Sequence, residues 1–180
     1  MNVLGFDQDS KHIGVVIASF PDAYKQPEVL YSDTLRITRK NEMEKLSEYI
    51  NALKYFTDDF GGDLHYAIRE GSFFDTTRPM GGFQVERIGG IIEAHVYLQF
   101  GLRTDSAKAS EWRQEVFGNG WMRREQAKQT AMTYVQATHP EITSEHECEA
   151  ICIAKYEWAM EKDKFWNTNK PEDDDETSNN

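Results

Sequence analysis

The chain has 180 residues, 31 acidic against 20 basic, for a formal net charge of −11. That length fits one domain, and the charge excludes a uniformly basic nucleic-acid binder, so any contact with nucleic acid must come from a local basic group. No run of about 18 apolar residues occurs, and Met1-Asn2-Val3-Leu4-Gly5-Phe6-Asp7 lacks the basic-then-apolar plan of a signal peptide.

Residues 2–7 form a short apolar run that ends in an acid, Asp7. Asp9-Ser10-Lys11-His12 reads as a turn and 13–20 as a second, β-branched run, so the spacing predicts a hairpin with Asp7 at the end of its first strand. A third strand is expected within 29–37, beyond the loop that holds Pro21 and Pro27. Asn41 can cap a helix to about residue 56, with Met43, Leu46, Tyr49, Ile50 and Leu53 on one face. Gly61-Gly62 breaks the chain before 64–68, a short strand that delivers Arg69 and Glu70. Residues 71–83 read as an irregular loop carrying Phe73-Phe74 among Gly71, Pro79, Gly81 and Gly82.

A helix over 85–100 groups Ile88, Ile91, Ile92, His95 and Leu98. Within it Gly89 and Gly90 each cost about 1 kcal/mol of helix propensity, which predicts close backbone packing there, with a subunit contact as one candidate. A last short strand is expected at 102–106. Ser110 starts a short helix that stops at Gly118-Asn119-Gly120. Residues 123–137 form another helix, ended by Pro140, and a final helix runs from 145 to about 162. Residues 1–163 thus read as one α/β domain, a mixed sheet flanked by helices. Residues 164–180 read as an acidic tail, with Glu172, Asp173, Asp174, Asp175 and Glu176 and nothing apolar to bury, and are expected to be disordered.

The final helix opens with Ser144-Glu145-His146-Glu147-Cys148-Glu149, and Ser144 with Glu147 has the spacing of a capping box. His146 and Glu149, at i and i+3, share one side of it. With Asp7 and Glu70 from two strand ends, they form an oxygen-and-imidazole set suited to hard divalent ions such as Mg²⁺. Two such ions about 3.5–4 Å apart can activate a water and stabilise the leaving oxygen of a phosphodiester. Glu145 and Glu147 are equivalent candidates by spacing, and Asp9 lies close by; a solvated acidic first turn is the alternative reading. Arg113, Arg123, Arg124 and Lys128 bracket the Gly118-Asn119-Gly120 turn and can track phosphates, or form a solvated face balanced by Glu111, Glu115 and Glu125. Phe73 and Phe74 could stack on an unpaired base or belong to a core. Cys148 and Cys152 read as reduced core thiols of a cytoplasmic protein.

Four segments resemble, in order, the motifs of the RuvC family of Holliday-junction resolvases, which have the RNase H-like fold. They are Gly5-Phe6-Asp7-Gln8-Asp9-Ser10 with Gly14, Ala67-Ile68-Arg69-Glu70-Gly71-Ser72-Phe73, Arg113-Gln114-Glu115-Val116-Phe117-Gly118-Asn119-Gly120 with Arg124, Gln126 and Lys128, and His146-Glu147-Cys148-Glu149-Ala150-Ile151-Cys152-Ile153-Ala154. The resemblance implies that Asp7, Glu70, His146 and Glu149 are the catalytic, metal-binding set, holding two Mg²⁺ or, in their place, Mn²⁺. It implies DNA contacts at Phe73, Arg113, Arg124 and Lys128, and a homodimer joined near 85–100. The implied activity is an endonuclease of DNA recombination and repair that resolves four-way junctions by paired phosphodiester hydrolysis. A junction-binding protein that cuts poorly, or a related nuclease acting on flaps or hybrids, are the alternatives. The chain departs from the family in carrying Glu149 for Asp, Asp9 in place of a small turn residue, and Arg69 between the apolar run and Glu70.

Overall fold

The computed structural model describes residues 1–21, 27–38, 40–60, 63–71 and 79–168. Its centre is a pair of strands whose side chains are almost all buried, β1 (Asn2–Gln8) and β2 (His12–Ser19). They pair antiparallel with Asp7 opposite Gly14. The turn between them is held by Asp9, whose Oδ1 accepts the backbone N–H groups of Lys11 and His12, both at 2.6 Å, as short acidic side chains do in turns. β3 (Glu28–Arg36) continues the antiparallel meander on the outer side of β2. On the other side of β1, β4 (Tyr66–Gly71) and β5 (Thr104–Lys108) add in parallel, giving the order β3-β2-β1-β4-β5.

Parallel neighbours need crossover connections, and the helices that make them cover one face of the sheet. α1 (Glu42–Phe60) leads from β3 to β4, and α2 (Pro79–Phe100) from β4 to β5. Against them pack Leu4, Phe6, Ile13, Val15, Ile17 and Ala67. The opposite face carries α3 (Ala109–Phe117), α4 (Arg124–Gln136) and α5 (Glu145–Thr168). Val3, Val16, Ala18, Ile68 and Ala107 meet α5 there, at a buried run from Cys148 through Ala154. The two cysteines are free and buried, and among the described residues no helix is long and apolar enough to cross a membrane.

Several expectations shift. Met43 is exposed rather than on the packed face of α1, which consists of Leu46, Ile50 and Leu53. On α2 the buried stripe is Ile88, Ile91, Ile92 and Val96, while Leu98 is exposed, because the stripe follows the 3.6-residue period past position 95 to Val96. That helix begins at Pro79, six residues before the expected start; proline fits the first turn, where its missing N–H has no helical partner. β5 lies two residues later than expected, because its position is set by parallel pairing with β4, Ala67 opposite Thr104 and Gly71 opposite Lys108. α5 continues to Thr168, past residue 163. Residues 169–180, with the run of acids, and the Phe73-Phe74 pair lie outside the described residues.

Candidate active site

Alternation along β1 and β4 decides which side chains face the same way. In β1, Leu4 and Phe6 face α1 and α2, so Val3, Gly5 and Asp7 face α5. In β4, Ala67 faces α2 and Ile68 faces α5, so Arg69 turns to α2 and Glu70 to α5. The parallel register sets Phe6 beside Arg69, and the next residues, Asp7 and Glu70, come side by side where both strands end. Arg69 is accordingly spent elsewhere: its guanidinium bonds Glu93 at 2.7 Å and Glu86 at 3.1 Å. Gly89 makes room for it, since a Cβ there would lie 2.6 Å from the Arg69 Cζ. The close packing expected at Gly89 is therefore internal to the chain, and Gly90 faces open space.

α5 reaches the same point because β1 and β2 present glycines to it. A Cβ on Gly14 would fall 2.1 Å from the carbonyl oxygen of His146, and one on Gly5 would fall 2.6 Å from that of Ala150. The helix backbone thus rests directly on the hairpin, with its first turn over Asp7. Nδ1 of His146 lies 2.7 Å from Oδ2 of Asp7. Nε2 of the same ring lies 3.8 Å from both Asp9 and Glu145. His12 stacks on the His146 ring at 5.3 Å.

Asp7, Glu70, His146 and Glu149 all line one cavity of about 680 Å³, with Gln8, Asp9, Arg113 and Arg124 around it. The four predicted residues are therefore brought together. Glu145 pairs with Lys128 at 2.5 Å. Glu147 turns away: Thr34 donates to it at 2.9 Å and lies 2.6 Å from the Ser144 hydroxyl, so both members of the expected capping box meet a neighbouring strand.

The electrostatics are those of crowded carboxyl groups. Burial raises Asp7 well above the usual carboxylate range, reinforced by Glu70, within hydrogen-bonding reach, and by Asp9. Burial and the charges of Asp7 and Glu70 push Glu149 up to about 8, against the opposing pull of Arg113 and Lys128. Three carboxyl groups and an imidazole facing a shared cavity, short of compensating charge, suit a divalent cation. Among the described residues, the ligand atoms at this end of the sheet that come within 4.8 Å of one another as a group are those of Asp9, His12 and His146, a group that shares only His146 with the four predicted residues.

Of the basic residues, Arg113 is mostly buried, 3.8 Å from Glu149 and 5.1 Å over the Trp112 ring. Lys128 is taken up by Glu145, and Arg124 stands exposed at the rim. Two residues that sequence reasoning passed over complete the wall. Trp112, fully buried, donates its indole N–H to Glu70 at 3.2 Å, and Gln8 donates to the Glu70 carbonyl at 2.5 Å. Trp112 follows β5 by four residues, so α3 carries it under Glu70; its neighbour Arg113 was the only hint.

A five-stranded sheet with an antiparallel meander, two parallel strands added beside its first strand, and a helix packed over acids at the central strand ends defines the RNase H-like fold. The solved structures make the type particular: the fold is RuvC-like. Thermus thermophilus RuvC in complex with a Holliday junction superposes with a TM-score of 0.72 at 15% identity, over 91% of this chain and 96% of that one. A second Thermus thermophilus RuvC structure gives 0.67 at 15% identity, over 89% and 97%. The Fowlpox virus resolvase bound to Holliday junction DNA gives 0.50 at 9% identity, over 89% and 99%. No protein-family model matches the chain, and no characterised protein matches it by sequence.

Proposed function

We propose that the chain is a divalent-metal-dependent endodeoxyribonuclease that resolves four-way DNA junctions. One observation carries the reading: the carboxyl groups of Asp7, Glu70 and Glu149 converge with His146 on one open cavity. Asp7, Glu70, Glu149 and His146 would hold two ions, Mg²⁺ or Mn²⁺, which when bound supply activation of a water and stabilisation of the leaving oxygen. The ends produced are a 5′-phosphate and a 3′-hydroxyl.

The protein's own part is positioning. Asp7, bonded to His146, orients the imidazole; Trp112 and Gln8 hold Glu70 and its backbone. Arg124 at the rim receives a backbone phosphate, while Arg113 and Lys128 moderate the acidity of the pocket and meet phosphate when the pocket is loaded. Phe73 is assigned to probing the unpaired bases at the branch. Trp121 stands beside Arg123 and Arg124 and is 91% exposed, an indole available for stacking on a base. The exposed Tyr97 and Leu98 on α2 support a homodimer, which would place two sites on one junction.

The test is nicking of a synthetic four-way junction with Mg²⁺ or Mn²⁺ at fixed salt, beside a linear duplex of the same sequence. Wild type should cut the junction alone, and Asp7→Asn should lose about 100-fold or more of the rate. Full activity in Asp7→Asn would remove that residue from the chemistry. A second reading, a junction binder that cuts poorly, draws support from Glu149, whose longer side chain is pushed up to about 8; binding without nicking in either metal would select it.

A further inference from the structure

A second group of acids lies away from this site, where β5 passes the C-terminal half of α5. Ligand atoms of Asp105, Glu157 and Glu161 lie within 4.8 Å of one another. Glu157 is eight residues beyond Glu149, roughly 12 Å further along the helix. It lines a separate cavity of about 410 Å³ with Asp105, Ser106, Tyr156 and Lys164. The exposure of Glu157 is 3%, and its Oε1 has no hydrogen-bond partner. Buried carboxyl oxygens are seldom left so, because the desolvation is uncompensated.

We propose that Asp105, Glu157 and Glu161, an all-oxygen set, bind a hard divalent cation such as Ca²⁺, tying β5 to α5 independently of the nuclease site. Three carboxylates face one ammonium, that of Lys164, which pairs with Glu161 and whose side chain is 67% exposed. Two negative charges are left over, the charge of one such ion. The Tyr66 hydroxyl lies near Glu161. Asp105 is exposed, which gives the ion a path from solvent, and Lys164 can swing outward as it enters. Without an ion, burial and the nearby acids Asp105 and Glu161 push Glu157 up to about 7; the charge problem is then met by retaining a proton.

The experiment uses Tb³⁺ in place of Ca²⁺, read by emission sensitised through Tyr156 and Tyr66, together with thermal unfolding in Ca²⁺. It is run on the full chain carrying Asp7→Asn, which weakens the nuclease site. Saturable emission that Ca²⁺ displaces is expected there, with a rise in Tm of about 5 °C at saturating Ca²⁺. Adding Glu157→Gln should lower the emission at least about fivefold and abolish the Tm response. Asp105→Asn, at an exposed position, provides the same reading in a protein whose core is untouched. Emission and Tm responses unchanged by both substitutions, or absent from the Asp7→Asn protein, would overturn the proposal. Neither outcome depends on whether a junction is cut, so failure here and failure of the nuclease reading are separate results.

Discussion

Glu149 is a buried carboxyl group facing two others. Its exposure is 5%, and with Asp7 and Glu70 opposite, its carboxyl is pushed from 4.5 to about 8. The folded chain therefore keeps that proton up to about pH 8, whereas the unfolded chain releases it near 4.5. Between those values the folded state binds more protons, so stability falls as pH rises. The contribution is fully present below 4.5 and is lost as pH passes 8, and the raised Asp7 acts in the same direction. In chelator, then, Tm should fall between pH 5.5 and 8.5 by an amount that reflects a few kcal/mol. Added Mn²⁺ should flatten the slope, because the cation replaces the proton, and Glu149→Gln should flatten it without metal. An unchanged slope in Glu149→Gln would mean that the titrating group lies elsewhere.

α5 delivers two of the four site residues, and its seat depends on glycine at two positions of the hairpin. Gly14→Ala would set a methyl group 2.1 Å from the His146 carbonyl, a clash with backbone that no rotamer change relieves. The expected cost is about 3 kcal/mol or more, read as a lower midpoint in urea, with weakened Mn²⁺ binding in whatever still folds. Stability and Mn²⁺ binding equal to wild type would show that the helix sits further from the strands. Much at this scale was legible beforehand. Asp7 ends an apolar run and Glu70 follows another by one residue, Arg69; that Glu70 and not Arg69 shares a face with Asp7 came only with the observed strand register. The i, i+3 spacing put His146 and Glu149 on one side of their helix. What could not be read were contacts made between elements: the Trp112 indole on Glu70, the stacking of His12 on His146, and the turn of Glu147 to Thr34. Each depends on how a helix docks, which Gly5 and Gly14 control without any local pattern to announce it. β5 was misplaced because Ala107 is its only buried residue, too little for a periodic signal.

At the scale of the molecule, two faces invite partners. One is the acid-lined cavity with Arg124 at its rim. The other is α2, where Tyr97 and Leu98 are 60% and 72% exposed, and where Gly90, Ala94 and Tyr97 border a cavity of about 500 Å³ with Arg103. On the proposed function, paired cleavage of a junction would take two copies of the chain, and this face is where we place their contact. Leu98→Glu together with Tyr97→Glu should convert a dimer to a monomer in sedimentation equilibrium, leaving Mn²⁺ binding intact; a dimer unaffected by both changes would move the contact elsewhere. Everything functional still depends on whether the clustered carboxyl groups hold metal. The most direct measurement is titration of Mn²⁺ into the metal-free protein, followed by electron paramagnetic resonance, for wild type, Glu70→Gln and Glu149→Gln. Loss of bound Mn²⁺ in each variant, about tenfold or more in affinity, is the expected result. Mn²⁺ binding by both variants as tight as by wild type would contradict the site.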